Sequence, residues 1–161
     1  MSADKQSLHS PDIIDTISDL LHQLTWNIRL DELGTWSDML KGMLQRDLHI
    51  LGLIAEKPDI ILKEILDELH IPSSTLTSAI NRMERRGLLK RIISQRDRRS
   101  YGLELTAKGA AIYQEHKRID RMIAQKVFDA LQDEQETQTL IALLEKISHT
   151  FENNEHEQSR E

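Results

Sequence analysis

Arg96, Arg98 and Arg99 place three guanidinium groups within four residues, interrupted by Asp97. Cations this close repel one another and add nothing to an apolar core, so they call for an anionic partner. Phosphate oxygens, or the negative potential of a narrow minor groove, would serve. Asp97 is expected to structure this turn, orienting Arg99 or accepting an Asx-type hydrogen bond. Upstream, Ser73, Ser74, Thr75, Thr77, Ser78 and Asn81 form a run of short hydrogen-bonding side chains, followed by Arg82 and Arg85. Small hydroxyls allow close approach to base edges; Asn81 could pair with adenine, and arginine is the usual partner of guanine. Ser73, Ser74 and the first-turn amides of a helix starting there could hold a phosphate. Both clusters point to double-stranded DNA.

A net charge of −6 argues at first against such a partner. The distribution reverses this. Between Pro72 and Lys108 nine basic residues face three acidic ones, a net +6 that leaves −12 to the rest of the chain. A basic centre with acidic arms can still present one positive face.

These clusters need helices and a hairpin to position them. Ser10-Pro11-Asp12 reads as a helix start, followed by Ile13, Ile14, Ile17, Leu20, Leu21, Leu24 and Ile28 at helical spacing. Gly34 and Gly42 bracket an ambiguous stretch. A helix is expected from Asp47 to Glu56, with Leu48, Leu51 and Ile54 inward, and another from about Leu62 to His70. Ile71-Pro72-Ser73-Ser74 breaks that helix and starts the next, which ends at Gly87. On its wheel Leu76, Ala79, Ile80 and Met83 share one side, opposite Ser74, Ser78, Asn81 and Arg85. Two strands follow, Leu88 to Ser94 and Ser100 to Leu105, the second with Tyr101, Leu103 and Leu105 on one face and the arginine cluster at the tip. Two long helices close the chain, Thr106 to about Leu131 and one opening at Asp133 with a capping-box Glu136; the tail from Glu152 is expected to fray.

Helix, helix, short turn, helix and basic hairpin is the order of a winged helix-turn-helix. The fold class expected is mainly α with a small β-hairpin wing, flanked by N- and C-terminal dimerisation helices. The segment Asp97 to Gly109 resembles the wing signature of the multiple antibiotic resistance regulator (MarR) family: Asp-x-Arg, five residues, then Leu-Thr-x-x-Gly, met here by Asp97, Arg99, Leu105, Thr106 and Gly109. Ser74 to Leu88 is similar to that family's recognition helix and its Leu-Glu-x-x-Gly-Leu ending, with Met83 replacing leucine. The resemblance runs from about Pro11 to Phe151. It implies a single domain over residues 1–161, with a DNA-binding lobe at about 47–109 and dimerisation helices at about 11–33 and 107–151. It also implies a homodimer on an inverted-repeat operator, the Arg99 region in the minor groove, and repression as the commoner behaviour. A small lipophilic or phenolic effector is implied too, for which Trp26, Trp36, Met39, Met43 and His116 are candidate contacts. Departures are Ser78 where many members carry arginine, Ile61 where a Ser or Thr helix cap is usual, and Leu66 where a smaller residue is common.

Other classes fare less well. Without cysteine there are no disulfides, thiolate metal sites or thiol redox sensing. Seven histidines raise a metal-responsive regulator of the same fold, but none forms a His-x-x-x-His pair. No metal or cofactor is expected. With no phosphate loop, nucleophile elbow or triad spacing, the chain is not expected to be an enzyme. A non-DNA-binding helical adaptor would explain the apolar stripes but not the arginines. A polar start and no apolar run of about 20 residues predict no signal peptide and no membrane partner, hence a cytoplasmic protein.

Overall fold

The computed structural model describes residues 11–28, 33–96 and 99–158. The chain divides into two compact units, one up to Ile119 and one from Asp120. In the first, α1 (Pro11–Ile28) begins on proline, whose fixed φ suits a first helical position; its proposed cap Ser10 lies outside the described residues. The stretch between the two glycines resolves into a short α2 (Leu33–Trp36) and a 3₁₀ turn (Asp38–Leu40) capped by Ser37. Then come α3 (Gln45–Glu56), β1 (Ile60–Ile61), α4 (Leu62–Leu69), α5 (Ser73–Arg85), β2 (Leu89–Ile93) and β3 (Tyr101–Leu105). Helix α6 (Ala107–Asp129) continues into the second unit, which holds α7 (Glu134–Gln158).

The helical periods predict the core well. Leu48, Ile50 and Leu51 of α3, Ile65 of α4, and Leu76, Ile80 and Met83 of α5 are all at most 1 % exposed, as are Leu88 and Leu103 of the wing base. Each such side chain contributes roughly 1.5–3 kcal/mol by leaving water. His70 takes a left-handed conformation, φ 47°, that ends α4 and turns the chain into Pro72 and α5. Gly87, φ 70°, ends α5 in the same way and lets the Leu88 amide donate back to the Met83 carbonyl at 3.0 Å.

Three corrections concern the sheet and the ends. The wing is three-stranded, in the order β1-β3-β2 and antiparallel throughout. Strand β1 is two residues long, too short to carry a period, and exists because Ile60 and Ile61 pair with Leu103 and Gly102. On β3 Leu103 is buried but Tyr101 is 63 % exposed, because the tip runs past the core. Helix α7 continues to Gln158 rather than fraying from Glu152. At its start Asp133 Oδ1 accepts the Glu136 amide at 2.8 Å, and Glu136 accepts the Gln132 amide at 2.7 Å.

The Leu-Thr-x-x-Gly run has a physical basis. Thr106 Oγ1 donates to the Gly87 carbonyl at 2.7 Å and accepts the Gly109 amide at 3.1 Å, tying α5, β3 and α6 together. A Cβ at Gly109 would lie 1.9 Å from the Leu88 carbonyl oxygen, so only glycine fits. Among the described residues no helix is long and apolar enough to cross a membrane.

Candidate nucleic-acid interface

Helix α5 keeps its two faces apart. Leu76, Ala79, Ile80 and Met83 are buried, whereas Ser73, Ser74, Thr77, Ser78, Asn81 and Arg85 are exposed and Thr75 is half-buried. Arg85 Nε donates to the Asn81 carbonyl at 3.2 Å along the helix.

Arg82 makes an ion pair that the sequence did not suggest. Its Nε and Nη2 donate to Asp47 Oδ2 and Oδ1 at 3.2 and 2.5 Å. Asp47 is fully buried at the start of α3, so this fork is its counter-charge and locks α5 against α3. Arg82 therefore helps to position α5, with its side chain still 37 % exposed. Arg86 likewise donates to the Gly42 carbonyl at 2.9 Å.

Arg96, with its side chain 55 % exposed, also has carboxylate partners. Its Nη1 and Nη2 donate to the Glu64 carboxylate at 3.1 and 2.7 Å, and Nη2 reaches the Asp59 carbonyl at 2.8 Å. The Arg96 guanidinium, and then the Ile61 amide, hold the Glu64 carboxyl below the ordinary carboxylate range. The same Glu64–Ile61 bond supplies part of the capping that the Ile61 side chain cannot give to α4.

Asp59 organises the base of the wing. In a left-handed conformation (φ 61°), its Oδ2 accepts Ser94 Oγ–H and the Gln95 amide at 2.9 Å each, and the Arg96 amide at 3.3 Å. Gly102 makes room, since a Cβ there would lie 2.0 Å from Asp59 Oδ1. The expected wing-structuring residue, Asp97, lies outside the described residues, as does Arg98. Arg99 is exposed and shares a shallow cleft with Lys63 and Tyr101. The only sequence hint of Asp59 is the Pro58-Asp59 turn dipeptide after α3.

The positive centre is thus smaller than its composition. Of its nine cations, Arg82, Arg91, Arg96 and Lys90 face the acids Asp47, Glu84, Glu64 and Glu104. Arg91 and Glu84 escaped notice because neither stands out in a charged run. The proposed effector contacts occupy dissimilar places. Met43 is buried in the core, Trp36 donates its indole N–H to the Ile28 carbonyl at 3.0 Å, and His116 is half-buried. Trp26 and Met39 are 73 % and 47 % exposed. Among the described residues no group of three or more His, Cys, Asp or Glu could hold a metal ion.

Comparison with known proteins agrees with this geometry. Residues 41–100, which hold α3 to the wing tip, match the model of the MarR family. The chain is 35 % identical over 95 residues to the HTH-type transcriptional regulator PecS of Dickeya dadantii, covering 56 % of this chain and 54 % of PecS. It is 37 % identical over 62 residues to the organic hydroperoxide resistance transcriptional regulator of Bacillus subtilis, covering 38 % of this chain and 42 % of that one. The chain thus spans about half the length of the curated relatives it matches. The crystal structure of Streptococcus pneumoniae FabT in complex with DNA superimposes with a TM-score of 0.76 at 26 % identity, over 87 % of this chain and 98 % of FabT. Residues 41–100 are thus similar to the MarR family, and the chain has the winged-helix fold seen in FabT.

Proposed function

We propose that the protein is a sequence-specific DNA-binding transcriptional repressor that occupies an inverted-repeat operator as a homodimer. The observation that carries this reading is the outward face of α5, where Ser73, Ser74, Thr77, Ser78, Asn81 and Arg85 stand clear of a core-bound opposite face. A helix of that composition suits the major groove. Thr75 flanks it, Arg99 reaches the adjacent minor groove, and Arg98 contributes beside it. The relative FabT was crystallised with DNA, which supports the same partner here. Binding DNA would place the protein in the cytoplasm with the genome.

One recognition helix reads too few base pairs to select an operator among the roughly 10⁶ or more competing sites of a genome. A dimer doubles the site. The apolar stripes of α1 and α7, exposed in the single chain, provide the surface for it. A small lipophilic or phenolic effector would act by favouring a dimer geometry whose two recognition helices no longer match the half-site spacing.

Footprinting on the DNA upstream of the protein's own gene tests this. Protection of an inverted repeat with half-sites about 10 base pairs apart is expected. Affinity should fall steeply with salt, reporting several phosphate contacts, and candidate lipophilic acids should weaken it. A flat salt response with no protected site would overturn the proposal.

A further inference from the structure

A side-chain contact from the wing sets the chemistry of a base-reading position on α5. Arg91, at the centre of β2, donates from Nη2 to Asn81 Oδ1 at 2.7 Å, while its Nη1 rests on the Glu84 carboxylate. Glu84 lies one turn further along α5, so a single guanidinium bridges two side chains of the helix. A guanidinium can only donate. The Asn81 atom facing it is therefore the amide oxygen, and the usual ambiguity between the two ends of an amide does not arise. Asn81 is exposed, and among the described residues its Nδ2 makes no hydrogen bond.

The geometry points to Asn81 as a donor-only reader of DNA, its amide held in one orientation by Arg91. This rests on the DNA-binding reading above. An unrestrained asparagine recognises adenine with both ends of its amide, accepting from N6 and donating to N7. The bond to Arg91 uses one of the two lone pairs of the oxygen and turns that end of the amide toward the wing, leaving the N–H groups as the outward end. Opposite adenine the amide donors find a single acceptor, N7, beside the donor N6 amino group. Opposite guanine they meet two acceptors, N7 and O6. The base beneath Asn81 is then guanine in preference to adenine, the reverse of what the residue type alone suggests. Arg91 is a positioning residue for this selection and touches no base itself. Glu84 keeps the guanidinium in place and offsets its charge.

The test uses the full chain and operator duplexes varied one base pair at a time. The position read by Asn81 is the one whose preference disappears in Asn81→Ala. At that position the wild type should favour guanine. Arg91→Ala, with folding checked by circular dichroism, frees the amide and should raise adenine relative to guanine by roughly tenfold. Glu84→Gln, which leaves Arg91 present but less firmly held, should shift the ratio in the same direction by less. In an Asn81→Ala background, Arg91→Ala should leave the ratio unchanged. A wild-type preference for adenine would overturn the inference, as would an Arg91→Ala variant weakened equally on all four base pairs. So would an Asn81→Ala variant that keeps every preference. Failure of the wild type to select any duplex would instead overturn the DNA-binding reading, and this inference with it.

Discussion

The winged-helix lobe and the outer helices α1 and α7 treat their apolar residues in opposite ways. Among the described residues, every buried hydrophobic side chain lies between Leu40 and Ile119. In α1, Ile13, Ile14, Ile17, Leu20, Leu21 and Leu24 are 38–58 % exposed, and in α7 Leu143, Leu144, Ile147 and Phe151 are 51–68 % exposed. Apolar residues recur at helical spacing in both regions, so periodicity marks a stripe but not what covers it. The lobe closes its own core from three helices, a small sheet and the start of α6. The stripes of α1 and α7 stay exposed in the single chain, and the proposed homodimer would cover them.

The largest effect should come from removing one side of this comparison. Deleting residues 133–161 is expected to give monomers in analytical ultracentrifugation while the lobe keeps a cooperative melt. Specific DNA binding should weaken at least about a hundredfold, the scale on which linked sites reinforce each other. A truncated chain that stayed dimeric would assign the interface elsewhere.

Within the lobe, Asp47→Ala should cost about 2 kcal/mol in denaturant unfolding, because Arg82 loses its counter-charge while keeping part of its access to water. The same substitution should change affinity for DNA through the tilt of α5. If stability held, the Asp47–Arg82 fork would be incidental to the packing.

Gly102→Ala comes next. The added methyl would collide with Asp59 Oδ1 and displace the hub on which Ser94, Gln95 and Arg96 converge. A loss of about 1–3 kcal/mol is expected in thermal melts. No loss would mean that Asp59 moves aside freely.

The finest distinction is between two arginines of one cluster. Arg99→Ala should weaken operator binding by roughly 1–3 kcal/mol. Arg96→Ala, which removes the link to Glu64 and Asp59, should lower Tm and disturb binding less. Equal effects of the two on binding in electrophoretic mobility shifts would erase the proposed division between a structural and a DNA-contacting guanidinium.

The sequence by itself determined the local elements and their faces. Leu76, Ala79, Ile80 and Met83 point inward because helical spacing is a property of consecutive residues, and the wheel of α5 holds without knowledge of its neighbours. The turn at Gly87 was legible for the same reason, being completed by residues close in sequence, whereas the Thr106–Gly109 junction entered only through the family signature, because it closes on Gly87 and Leu88. Tertiary structure alone decided what the charged residues do. Arg82 reaches Asp47 across 35 positions and Arg96 reaches Glu64 across 32, separations at which sequence carries no trace of a partner. Strand β1 exists only as a pairing with β3, and Asp59 becomes a hub only when the wing folds back over it. Composition shows how many cations a segment holds. Which of them face a carboxylate and which face outward depends on where the chain brings its acids, and the fold settles that.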